Sequence, residues 1–209
     1  MTLKAYQRDP CGMLSIPYWK AKHVKVPESM RIVHERDFSE EFLQDYFDVR
    51  YFRLKHNLQE IAPVTVPGIE IRTAQKTDIR LIADVINRAY QDISVTCEQL
   101  QAQMRTEAYC EELWILAWDT EKDCAAGCGI ADYDAEAGEG ILEWIQVLPE
   151  YRRRQIGRRM VQELLCRMKG RAEFATVSGQ CDSPSQPETL YRACGFQGSD
   201  VWHVLRKRP

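Results

Sequence analysis

The feature that most restricts the fold of this 209-residue chain is an apolar strand that runs straight into a helix. Residues 139–148, EGILEWIQVL, read as a strand, and Pro149-Glu150 turns the chain. After the turn, Ile156, Met160, Leu164 and Met168 recur every fourth residue, flanked by Val161 and Leu165, so one helical face is apolar over three turns. Gly170 stops that helix, and FATVSG (174–179) supplies the next strand. A strand–helix–strand succession demands a right-handed crossover and one parallel pair. The sheet therefore cannot be wholly antiparallel.

The surrounding pattern fills in the rest. IEIRTA (69–74) alternates as a strand, and Asp78 or Thr77 can cap a helix carrying Ile79, Ile82, Val85, Ile86 and Ala89 on one face. A second helix is expected over 96–108 with Thr96 as its cap. Strands follow at 113–118 and 124–133 around a turn at 119–123. Pro187 suits the first position of a short helix ending at Gly195, and VWHVLRK (201–207) closes the chain as a strand. The predicted class is α/β: a mixed, mostly antiparallel central sheet with helices on both faces.

Prolines and a glycine in IAPVTVPG (61–68) mark a seam. The expected organisation is an N-terminal α+β extension over 1–66, packing on a second domain over 67–209. Within the extension, DFSEEFLQDYF (37–47) has helical spacing at Phe38, Phe42 and Tyr46, and YFRL (51–54) reads as a strand.

The helix that begins after Pro149 is electrostatically odd. Arg152, Arg153, Arg154, Arg158 and Arg159 are expected around its first turn. A helix N-terminus carries roughly half a positive charge, so cations there cost a few tenths of a kcal/mol each. The chain as a whole is acidic, with a net charge of −3, so the cluster is local and bulk nucleic-acid binding is disfavoured. One reading is a solvated basic face. The other is an anion site, in which helix amides and arginine side chains close on a phosphate or pyrophosphate and Gly157 allows close backbone approach.

The run VLPEYRRRQIGRR resembles motif A of the GNAT N-acetyltransferase superfamily, an Arg/Gln-x-x-Gly-x-Gly/Ala pattern after a strand ending in a Val-x-Pro-like turn. Arg152, Gln155 and Gly157 take the signature positions, with Gln155 where the family usually has glycine. LYRACGF (190–196) is similar to motif B, one strand downstream, while CDSPSQPE lacks the asparagine often found ahead of that helix. The resemblance implies acetyl-CoA as cosubstrate, with its pyrophosphate held at Arg152, Arg153, Arg154, Gln155, Ile156, Gly157 and Arg158. It further implies that backbone groups of Ile145 and Val147 pair with pantetheine, and that Tyr191 protonates the departing thiolate. Plain packing is the other role open to Tyr191.

Glu143 is drawn from the residues themselves. A carboxylate inside GILEWIQV must face water, a partner or a reacting group, so it is either a solvent-facing strand residue or the base for an incoming ammonium. His56, His203 and Cys194 have no recognisable catalytic partners. The eight cysteines are scattered, and CAAGC (124–128) matches no strong zinc spacing, so reduced thiols and no metal are expected. No apolar run approaches the roughly 18 residues needed for a membrane span, and the N-terminus has no signal-like core; a cytoplasmic location follows as an expectation. The predicted activity is N-acetylation of a primary amine by direct attack in a ternary complex, the acceptor being unspecified and a homodimer compatible. The rivals are a non-catalytic CoA-sensing module on the same fold and a nucleotide-binding protein, which lacks GxxxxGK[ST].

Overall fold

The computed structural model describes residues 2–89 and 94–208. These form two compact units, Met1–His56 with Thr176–Pro209, and Asn57–Ala175. Three short helices open the chain: α1 (Leu3–Arg8), α2 (Pro10–Met13) and α3 (Tyr18–His23). Asp9 caps α2 by accepting the Gly12 N–H at 2.9 Å, and Pro10 occupies its first position, where a missing N–H costs nothing. β1 (Met30–His34), α4 (Phe42–Asp45) and β2 (Tyr46–His56) follow.

The helix expected over 37–47 is thus reduced to one turn at 42–45, and the strand expected at 51–54 grows to eleven residues. The cause is tertiary. From Tyr46 onward β2 pairs with a strand near the C-terminus, Tyr46 opposite Lys207 and Phe52 opposite Val201, and that ladder overrides the local helical spacing.

The second unit holds β3 (Ile69–Thr73), α5 (Ile79–Ala89), α6 (Cys97–Gln103), β4 (Trp114–Asp119), β5 (Cys124–Asp134), β6 (Glu139–Val147) and α7 (Ile156–Met168). Its strands lie in the order β3-β4-β5-β6, each pair antiparallel. The cap of α5 falls slightly earlier than expected: Gln75 and Asp78 form a capping box on a 3-10 turn that leads into the helix, and Asp78 also holds Arg72 at 2.6 Å. Thr96 caps α6 as expected, with Gln99 completing the box, but the helix stops at Gln103 rather than 108. The apolar face of α7 is buried throughout, at Ile156, Met160, Val161, Leu164, Leu165 and Met168. Burial of each such side chain is worth about 1.5–3 kcal/mol, so this face holds the helix. β5 accommodates it with glycine: a Cβ on Gly127 would meet the Gln146 carbonyl at 2.5 Å and the Met160 side chain at 3.2 Å.

The chain then returns to the first unit with β7 (Phe174–Gln180), α8 (Pro187–Ala193) and β8 (Gln197–Lys207). The strand order there is β1-β8-β2-β7, with β8 antiparallel to both β1 and β2. The class is the expected one, mixed and mostly antiparallel with helices. This unit buries basic side chains inside polar clusters. Arg53, 1% exposed, donates to the hydroxyls of Tyr6 (3.0 Å), Ser178 (3.2 Å) and Thr176 (3.3 Å). His203 lies with Nδ1 2.8 Å from Asp48 and Nε2 2.8 Å from Glu35, its ring stacked on Phe38 at 3.8 Å. Among the described residues no helix is long and apolar enough to cross a membrane.

Candidate functional site

β6 does not pass directly into α7. Pro149–Tyr151 form a single 3-10 turn, and Arg152–Gln155 precede the helix, which begins at Ile156. Arg152, Arg153 and Arg154 therefore lie ahead of the first helical turn, and only Arg158 and Arg159 lie within it, which corrects the sequence expectation. The delay has a backbone origin. Arg153 (φ 63°) and Gln155 (φ 60°) both adopt the left-handed conformation, which costs an L-residue roughly 1–2 kcal/mol. Two such residues within three positions are strain of the kind that collects at binding sites. Gln155 makes no side-chain cap, so the leading N–H groups of α7 have no cap from it to satisfy them.

The turn is anchored by Tyr151, which is 3% exposed. Its hydroxyl donates to Asp119 at 2.9 Å, leaving the Cys124 thiol, 3.3 Å away, to donate to the phenol oxygen. The Lys122 N–H, then the Tyr151 hydroxyl, hold the Asp119 carboxyl below its ordinary range. Nothing in the sequence marked Tyr151 or Asp119 as parts of the site, because their link joins the turn to a strand end 32 residues upstream.

The five arginines separate into two groups. Arg152 donates to the Ala89 carbonyl at 2.8 Å and the Val147 carbonyl at 3.3 Å, closing the end of α5 onto the end of β6. Arg154 lies over the Tyr151 ring at 5.3 Å. Arg159 pairs with Glu163 at 3.1 Å. By contrast, no hydrogen bond, ion pair or ring contact among the described residues engages Arg153, which is exposed. Arg158 is half-buried, and its Nε is buried without a partner. An orphaned guanidinium nitrogen beside a helix N-terminus suits an anionic ligand, since an unmet buried donor costs about 1–3 kcal/mol.

Glu143 occupies a special place in β6. Leu142 pairs with Ala131 and Trp144 with Ile130, so Glu143 is the extra residue of a β-bulge, half-buried, with no opposite number in β5. Bulges re-aim a side chain and free backbone groups from the ladder. Ile145 and Val147, farther along, lie opposite Gly129 and Gly127. The Val147 carbonyl, expected to meet a ligand, already accepts from Arg152. Residues 143–158 thus share one unit, whereas Tyr191 belongs to the other. There it sits on α8, 8% exposed, its ring centroid 6.2 Å from Phe52 and 5.8 Å from Phe196.

Comparison with known proteins agrees with this architecture. A family model described as the acetyltransferase (GNAT) domain matches residues 110–198. Among solved structures, a GCN5-related N-acetyltransferase from Sphaerobacter thermophilus superposes with a TM-score of 0.70 at 23% identity, covering 91% of this chain and 64% of that one. The match thus spans less than two thirds of that protein's length. A putative acetyltransferase of the GNAT family from Novosphingobium aromaticivorans gives 0.56 at 13% identity, covering 89% of this chain and 71% of that one. Ard1 from Thermoplasma volcanium gives 0.54 at 12% identity, covering 68% of this chain and 99% of that one. These likenesses are of fold. No curated protein matches by sequence.

Proposed function

From a chain that carries the GNAT N-acetyltransferase fold, we propose an acetyl-CoA-dependent N-acetyltransferase that acylates a primary amine by direct attack in a ternary complex. The observation that carries this reading is the pair of uncommitted guanidinium groups, Arg153 and Arg158, flanking a left-handed turn at the start of α7. They would hold the pyrophosphate of the donor with the helix amides. Arg152 would act indirectly, by fixing where the turn begins.

Acetyl-CoA supplies an acetyl thioester whose sulfur can leave as a thiolate. The Glu143 carboxylate takes a proton from the acceptor ammonium, directly or through water, and so frees the nitrogen lone pair. As the N–C bond forms and the C–S bond breaks, Tyr191 Oη gives its proton to the sulfur and recovers one from solvent. Residues 1–66, dense in aromatic side chains, are assigned to the acceptor side.

The test is a panel of primary amines offered with acetyl-CoA, with release of free thiol recorded. Thiol release that rises with one class of amine supports the reading. Tight CoA binding with release indifferent to every amine would instead identify a CoA-binding module.

A further inference from the structure

One face of the first unit's sheet is only partly covered. Strand pairing sets His34, Trp202 and Tyr51 in one row across β1, β8 and β2. On the same face Ile32, Val204 and Val49 form the next row, and Met30, Arg206 and Phe47 the last. The first row lies under α2, whose Cys11 carbonyl accepts from the Trp202 indole at 2.8 Å. Beyond it Ile32, Val204 and Val49 are half-buried and Phe47 is 51% exposed. On the opposite face of β8, His203 and Leu205 are buried.

A solvated face of an antiparallel sheet ordinarily carries polar side chains at its outward positions. Here the outward positions of three adjacent strands are apolar, and water covers them at a cost. We propose that this face docks a second copy of the chain, which sets Leu43 and the acids around α4 against it, reciprocally, in a two-fold dimer. The proposal is independent of the donor reading above.

Charge selects the occupant. The rim of the apolar face is basic: Arg206 stands in the last row, and the Arg208 guanidinium lies over the Phe47 ring at 4.2 Å. Residues 40–45 have the opposite character, with Leu43 42% exposed and Glu40, Glu41 and Asp45 exposed around it in sequence. Among the described residues no ion pair engages either of those arginines or any of those three carboxylates. Both sets lie at the same end of the sheet, since the Arg208 N–H donates to the Asp45 carbonyl at 2.8 Å. The segment that carries α4 approaches the other face, where Arg31 lies over the Phe42 ring at 5.9 Å and the Tyr46 ring at 5.3 Å. An acidic, apolar-tipped turn on one face and a basic-rimmed apolar surface on the other complement each other between copies. A two-fold axis at that end makes both contacts at once and closes the assembly at two chains. The apolar rows would form the centre of the interface and the charges its rim, fixing orientation.

Sedimentation velocity of the full chain tests the assignment, with thermal midpoints showing that each variant is folded. The wild type should dimerise at about 10–100 μM, and less as salt is added. Glu40→Lys with Glu41→Lys, and separately Arg206→Glu with Arg208→Glu, should each raise the dimer Kd by about 100-fold. An equimolar mixture of the two variants should recover the dimer, because one of its two contacts is charge-swapped and the other is native. Val204→Thr, which keeps the β-branch, should weaken the dimer about tenfold. A wild type that is monomeric at about 100 μM overturns the proposal, and so does a mixture no more associated than its components. A monomer that instead co-sediments with phosphatidylserine vesicles would overturn it by assigning the face to a lipid surface.

Discussion

The two units engage their basic side chains to different degrees. In the first, the terminal nitrogens of Arg53 donate to three hydroxyls and His203 lies between two carboxylates, so both side chains have several partners within the unit, although the Arg53 Nε is buried without one. In the second, the arginine run ahead of α7 leaves Arg153 without a contact and the Arg158 Nε without a partner. Basic groups held by several internal partners organise the fold around them, whereas a guanidinium with none keeps its donors ready for something that arrives later.

The largest effect that would test this contrast is structural. Arg53→Met removes the donors that the hydroxyls of buried Tyr6 and Thr176 and of Ser178 share, and should lower unfolding free energy by on the order of 3–5 kcal/mol in urea titration. Arg153→Met, at an uncommitted site, should stay within about 0.5 kcal/mol of wild type. Equal losses would erase the distinction.

Next in size is Tyr191→Phe, which keeps the ring packed near Phe52 and Phe196. Turnover should fall about 10²-fold, the lower end for a lost general acid because a thiolate leaves readily. CoA affinity should hold, so that the loss appears in kcat. Undiminished kcat under conditions where chemistry limits the rate would return Tyr191 to packing alone.

Arg153→Glu combined with Arg158→Glu should raise the Kd for CoA by roughly 10–100-fold while pantetheine, which lacks the pyrophosphate, binds as before. If calorimetry gave the same loss for both ligands, the free arginines would not be phosphate contacts. The smallest effect belongs to Gln155→Gly. Glycine adopts the φ of 60° found there without strain, so the variant should gain up to about 1 kcal/mol in stability, read as a higher thermal midpoint. A lower midpoint would mean that the glutamine side chain contributes more than its backbone costs.

Local pattern makes much of this legible in the sequence. The β6 strand, the four-residue apolar recurrence of α7, the Thr96 cap and Pro187 at the head of α8 all act within a few residues, and the structure has them there. What escaped detection depends on distant partners. The 37–47 segment has helical spacing, yet Tyr46 and Phe47 join β8 opposite Lys207 and Arg206. The arginine run looked uniform because each commitment is made elsewhere, Arg152 to Ala89 and Arg154 to a ring. His203 appeared isolated because its carboxylates stand at positions 35 and 48. The bulge at Glu143 depends on a register shift against β5, which composition does not encode.

The pairing of β2 with β8 has a consequence for the birth of the protein. Tyr46 meets Lys207 and Lys55 meets Gln197, so β2 waits for roughly 150 further residues, on the order of ten to thirty seconds of translation. During that interval its row of backbone donors and acceptors lacks its final neighbour, a template for the wrong strand. The 57–175 unit is contiguous in sequence and can close while synthesis continues. Both early strands, β1 and β2, are thus among the last to be paired, and a chaperone that shelters residues 46–56 would matter most in that window.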